Sequence, residues 1–242
     1  MPAPRTVTQF FTLPAGRTPF LTKEGSALPE LCVAYETWGA PTAARDNAIL
    51  VFHAMTGSQH AAGWNPEVPG IGARWTEDCR SGWWDDFIGD GKPIDTSRFF
   101  VICANVLGGC YGSTGPASTD PRTGRPYGGS FPRISISDMV RAQIALLDHL
   151  GIERLHAAVG GSIGGLMVLE LAMRFPERLA RAIPIASGME VTTLQRIHNF
   201  EQIAAIQNDR NFRGGDYYDG EAPAEGLALA RMIAHKTFVS LE

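Results

Sequence analysis

The stretch "VGGSIGGLMVLELA", residues 159–172, constrains the fold of this chain more than any other. A short apolar run enters it and a longer one with helical spacing leaves it. Ser162 stands at the hinge, flanked by Gly160, Gly161, Gly164 and Gly165. Such a run describes a strand that turns sharply into a helix, since residues without a Cβ let the two approach closely at the corner. Gly160 to Gly164 match the spacing G-x-S-x-G. In that arrangement the serine occupies a strained turn that lifts its Oγ clear of the sheet. The amides opening the following helix then favour nearby negative charge. Two plainer readings exist: a cluster of packing glycines, or a phosphate-binding turn. The absence of G-x-x-x-x-G-K-[ST] and of G-x-G-x-x-G counts against the phosphate reading.

The surrounding sequence supplies a sheet for that corner. Residues 7–13 and "LCVAYETW" (31–38) read as strands. "AILVFHA" (48–54) and "FFVICAN" (99–105) are short continuous apolar runs, as expected of strands covered on both faces. Long Gly- and Trp-rich stretches, 57–98 and 106–135, separate these elements, and long ordered loops commonly carry function. From Ile136 the period becomes helical, through Met139, Val140, Ile144, Leu147 and Leu150. Ser137–Asp138 is the expected helix start and Gly151 the expected stop. A strand at 155–161, a helix from Ser162 to about Phe175 and a strand at 180–187 follow, with helical patterns over 192–207 and from Ala224 onward. Alternating strand and helix imply parallel strands joined by crossovers, with a mixed edge from the first strands. The expected architecture is α/β: an α/β-hydrolase sheet, mostly parallel and flanked by helices, over residues 1–188, then a helical lid segment over 189–242.

Composition excludes other classes. At 242 residues, 44% hydrophobic and 19% charged, the chain can bury a substantial core. A net charge of −4 leaves no electrostatic footprint for nucleic acid or an anionic membrane. No apolar run reaches membrane-spanning length, and the first residues lack the apolar core of a secretory signal. The four cysteines, Cys32, Cys79, Cys103 and Cys110, fit no zinc or redox spacing. These features point to a reducing cytoplasm, with no metal and no permanently bound cofactor expected.

A nucleophilic Ser162 needs an oxyanion hole. One amide is expected from Ile163, the next residue, and a second from the loop after the third strand, "HAMTGS" (53–58), with Met55 the natural donor. His53 reads as a structural histidine at a strand end and His60 as an ordinary loop residue. Cys110 lacks a neighbouring base and reads as a buried loop cysteine. Asp85 and Asp86 read as helix-capping residues, and Trp83 and Trp84 as packing.

Several longer blocks resemble the homoserine O-acetyltransferases of the α/β-hydrolase superfamily. They are "HAMTGS" (53–58), residues 82–116 ending in "NVLGGCYGSTGP", "GRPYG" (124–128), "SISDMVRAQ" (135–143), "GGSIGG" (160–165), "FRGGDYY" (212–218) and "GLALARMIAHKTF" (226–238). The resemblance implies ping-pong acyl transfer in methionine biosynthesis. Ser162 would take an acetyl group from the co-substrate acetyl-CoA and pass it to the hydroxyl of L-homoserine, with a His base oriented by an Asp. It further implies that Arg231 binds the amino-acid substrate and that residues 192–242 support a homodimer. Phe238 stands where a tyrosine often follows that arginine. In the superfamily the order is Ser, Asp, His, and in the resembling family both partners lie beyond the lid helices. No residue of this chain is assigned to either role, and the last strands of such a sheet are expected to be missing. The alternatives are succinyl transfer, serine as acceptor, carboxylester hydrolysis, or a non-catalytic truncated fragment.

Overall fold

The computed structural model describes residues 4–13 and 19–238. A six-stranded sheet is built from β1 (Gln9–Leu13), β2 (Leu31–Trp38), β3 (Ala48–Phe52), β4 (Phe100–Ala104), β5 (Ala157–Gly161) and β6 (Ala182–Ile185). Its spatial order is β1-β2-β4-β3-β5-β6. The four strands from β4 to β6 are parallel, while β2 runs antiparallel to both of its neighbours. Every residue of β3 and β4 is buried, as their unbroken apolar runs require. The strands expected at 7–13 and 180–187 are shorter than their patterns, losing residues at their ends.

Two helices cover one face: α1 (Ile136–His149) and α2 (Ile163–Arg174), packed on each other and on the strands. The other face is covered by the segment after β3. Ala61, Ala62 and Ile88 join Val51, Val101 and Val159 in one buried cluster, with Trp83 and Trp84 packed against it. The start of α1 differs from the expected one. Ser135 is its N-cap, and Asp138 is the third helical residue of a capping box, receiving the Ser135 N–H at 2.9 Å while Ser135 Oγ accepts from Asp138 N at 3.2 Å. Ser137 lies inside the helix. Gly151, with φ of 68°, ends the turn after α1 as expected.

β6 forms the margin of the sheet and all four of its residues are exposed. The carbonyls of Arg181 and Ile185 accept from β5 and the residue following it, so the even-numbered residues of β6 face outward. Pro184 therefore places its missing N–H on the outer side, the position where proline is tolerated in a sheet.

Contacts divide the chain into two compact units. One joins the residues up to Gly115 with Pro132–Ser187 and contains the whole sheet. The other joins Pro116–Phe131 with the residues from Gly188 onward. This differs from a single cut after residue 188, because Asp216 Oδ1 accepts the Gly129 N–H at 3.0 Å and draws the 116–131 loop to the helical segment. Within this second unit, α3 (Thr193–Gln207) packs on α4 (Ala224–His235). Asp209 accepts the Gly226 N–H at 2.7 Å where α4 opens. Leu194, Ile197, Phe200 and Ile203 form an exposed apolar stripe along α3.

The long loop after β3 is tied down by a fully buried carboxyl group. Glu36 on β2 receives Thr8 Oγ1 and Asn65 Nδ2, each at 2.7 Å, on one carboxylate oxygen. His60 Nδ1 lies 2.7 Å from the other. His60 Nε2 faces the Arg80 carbonyl at 2.9 Å. His60 Nδ1 also lies 3.3 Å from Thr6 Oγ1. His60 is therefore no ordinary loop residue: it joins strand and loop from inside. Removing the Glu36 carboxyl leaves the buried Thr8 and Asn65 donors without this acceptor. Glu36→Ala is expected to cost about 3–5 kcal/mol in urea unfolding; a loss within about 1 kcal/mol would show that the pair holds nothing.

Candidate active site

Ser162 occupies the corner between β5 and α2 with φ of 56° and ψ of −121°. A non-glycine residue in this region is strained and persists only where its surroundings fix it. Here they do. The Ser162 N–H donates to the Ile185 carbonyl at 3.0 Å, and its carbonyl accepts from Leu166 N at 3.1 Å and from the Ser187 hydroxyl. The side chain is exposed and makes no capping bond to α2. The backbone is clamped while the hydroxyl is presented outward.

The flanking glycines explain the motif atom by atom. A Cβ on Gly160 would lie 2.6 Å from backbone atoms of Gly164 and 2.9 Å from Phe52 Cβ. A Cβ on Gly164 would lie 2.3 Å from the Phe52 carbonyl oxygen and 3.0 Å from that of His53. Gly165 has the Ser187 side chain at 2.2 Å from the same position. Gly161, by contrast, faces open space. The first turn of α2 therefore abuts the end of β3, bringing Ile163 and the loop bearing Met55 to the same end of the sheet. Ile163 carries the first helical amide, a position whose N–H has no partner within the helix. Met55 lies in a tight turn closed by the Gly57 N–H on the Ala54 carbonyl at 2.9 Å, with its side chain 76% exposed.

His53 is buried beside this turn. Its Nδ1 lies 2.6 Å from the Ala54 carbonyl, and its Nε2 accepts from Val106 N at 3.1 Å. Burial lowers its pKa from 6.5 to about 4. It is a structural histidine, as the sequence indicates. His149 ends α1, stacked on Phe11, and His156 directly precedes β5. Both lie at the opposite end of the strands from Ser162. With His53 and His60 committed internally, none of the four histidines of this unit is placed to take the Ser162 proton.

The remaining candidates sort cleanly. Asp85 caps no helix: it receives the Gly63 N–H at 2.7 Å and pairs with Lys92 at 3.4 Å, holding the loop. Trp83 packs as expected and donates to the Ser58 carbonyl at 2.9 Å. Cys110 is exposed rather than buried, and desolvation by its surroundings raises its thiol pKa despite Arg74, so thiolate chemistry is disfavoured. Arg231 lies on α4 of the second unit with its side chain exposed. Among the described residues no cluster of His, Cys, Asp and Glu could hold a metal ion, and no helix is long and apolar enough to cross a membrane.

A strand-turn-helix corner carrying an exposed serine on a mostly parallel sheet defines the α/β-hydrolase class. The family model described as alpha/beta hydrolase fold matches residues 47–240, and the chain belongs to that family. Within it, the chain is 49% identical over 234 residues to a homoserine O-acetyltransferase of Solidesulfovibrio magneticus, covering 97% of this chain and 57% of that protein. It is 47% identical over 223 residues to a homoserine O-succinyltransferase of Aromatoleum aromaticum, covering 92% and 57%. Among solved structures it resembles the homoserine O-acetyltransferase from Bacillus anthracis, with TM-score 0.85, 31% identity and 96% of this chain on 60% of that one. The chain thus spans somewhat more than half the length of these three relatives.

Two measurements check the corner. Gly164→Ala forces a Cβ onto the Phe52 carbonyl and is expected to destabilise the fold by about 1–3 kcal/mol or more, whereas Gly161→Ala is tolerated; equal melting temperatures for the two would contradict the packing. The second is pH-dependent. The unfolded chain protonates His53 near pH 6.5 and the folded chain only near 4. Stability from this group is complete above about pH 6.5 and is lost as pH falls to about 4, a difference of roughly 3 kcal/mol. His53→Asn is expected to flatten that part of the pH–stability curve.

Proposed function

We propose that this chain carries the nucleophile and oxyanion donors of an acyltransferase that moves an acetyl group from acetyl-CoA to the hydroxyl of L-homoserine. The observation that carries the reading is Ser162: strained at φ 56°, exposed, and seated at the first amide of α2. Its Oγ attacks the thioester carbonyl as its proton passes to a base supplied from outside the sheet-bearing unit. The tetrahedral oxyanion is received by the Ile163 and Met55 amides, and the C–S bond breaks to release CoA. The homoserine hydroxyl then attacks the acetyl ester through a second tetrahedral state and frees Ser162. Arg231 pairs with the carboxylate of the amino acid, a charge-assisted contact that orients the acceptor.

The acetyl donor and homoserine acceptor follow the names of most of the matched relatives, while the succinyltransferase of Aromatoleum aromaticum carries the longer acyl alternative. Ester hydrolysis is the second reading, because a solved structure titled esterase E22 matches at TM-score 0.85 and 32% identity. Water in place of the acceptor hydroxyl makes the difference between the two.

A serine-directed fluorophosphonate should label the chain, and peptide mapping should place the label on Ser162. Incubation with acetyl-CoA, in a chain extended to supply the His base, then separates the readings. CoA release that rises with homoserine and yields its acetyl ester supports transfer. Release indifferent to homoserine, with free acetate as product, supports hydrolysis. Ser162→Ala should lower either rate by about 10³-fold or more, and Arg231→Leu should raise the homoserine concentration needed for half-maximal transfer. Label on another serine would end the proposal.

A further inference from the structure

Resting on the reading of Met55 as an oxyanion donor, we infer that His53 is a positioning residue that aims the Met55 N–H by gripping the carbonyl of the same peptide group. The contacts of the ring fix its tautomer. Nδ1 lies 2.6 Å from the Ala54 carbonyl oxygen, which only accepts, so the ring proton sits on Nδ1. Nε2 faces the Val106 N–H at 3.1 Å and the Asn105 side-chain amide at 3.3 Å, so it is bare and accepts. One end of the ring is thus anchored just past β4, the paired neighbour of β3, and the other holds the turn that follows β3.

The Ala54 carbonyl and the Met55 N–H belong to one planar trans peptide and point in opposite directions. Fixing the carbonyl therefore fixes the N–H. The Ala54 oxygen also accepts Gly57 N at 2.9 Å, so two donors hold it from the side of the ring and the turn, and the Met55 N–H faces away from both. The Met55 side chain is 76% exposed, so its own packing contributes little to the orientation. Gly57 is part of the same device: a Cβ there would lie 2.9 Å from His53 Cβ and push the ring off its carbonyl. On the far side, α2 abuts the His53 carbonyl at Gly164, next to Ile163. His53 touches no reacting atom; it sets the direction of a group that does.

Two substitutions separate this role from filling of the core. Asparagine places an amide near Nδ1 and keeps a donor for Ala54; glutamine places its amide near Nε2 and gives up that donor. The readouts are the ring tautomer by two-bond 1H–15N correlation, the chemical shift and exchange rate of the Met55 amide, and the rate constant for fluorophosphonate labelling of Ser162. Thermal melts establish that each variant is folded. The expected wild-type ring carries its proton on Nδ1 at pH 7. His53→Gln should shift the Met55 amide and slow labelling by about 10²-fold, as loss of one oxyanion donor does, while His53→Asn stays within about tenfold of wild type. A proton on Nε2, or a folded His53→Gln variant whose Met55 amide is unchanged, overturns the inference. A wild-type chain that does not label brings down the nucleophile reading alone, because the tautomer and the Met55 amide still decide the tie.

Discussion

The structure depends on one contact made possible by missing atoms. β5, β3 and the first turn of α2 meet where Gly160 and Gly164 lack a Cβ, and a methyl group at either position would overlap neighbouring backbone. That approach forces Ser162 into a positive φ, holds its N–H and carbonyl against residues 185–187, and leaves its hydroxyl facing out. It also brings the opening amide of α2 beside the loop that leaves β3. The strain at Ser162 and the convergence of donors are consequences of the same packing, so neither can be altered alone.

Two buried histidines hold this arrangement from beneath, through different sets of partners. His53 meets one acceptor and two donors, and is neutral. His60 meets acceptors on both nitrogens beside the Glu36 carboxylate. Each ties a loop to the sheet. His53 links the turn after β3 to the end of β4, and His60 links the long loop to β2 and, through Thr8, to the chain just before β1. Partner chemistry, rather than burial, separates them, since both are almost wholly enclosed.

Much of this was legible in the residues. The strand at 31–38 and the corner at 160–164 read directly, because continuous apolar runs and the glycine spacing admit few other local structures. What could not be read depends on contacts distant in sequence. His60 looks like a loop residue until Glu36, 24 positions earlier, is seen against its ring. Asp85 looks like a helix cap until the Gly63 amide arrives from another turn. The N-cap of α1 was misplaced by two residues because Ser135 and Ser137 both precede acceptable helix starts, and only the reciprocal bonds with Asp138 choose between them. The membership of 116–131 was hidden for the same reason: Asp216, far along the chain, receives its backbone.

The outward-facing Pro184 has a consequence for what can pair with β6. β6 displays Ile183 and Ile185 at the sheet margin, where an edge strand offers unpaired backbone groups to another strand. Pairing along the whole strand needs an unbroken row of amide hydrogens, and the imino ring interrupts that row in mid-strand. Any backbone laid along this side meets a gap at Pro184 where a donor should be.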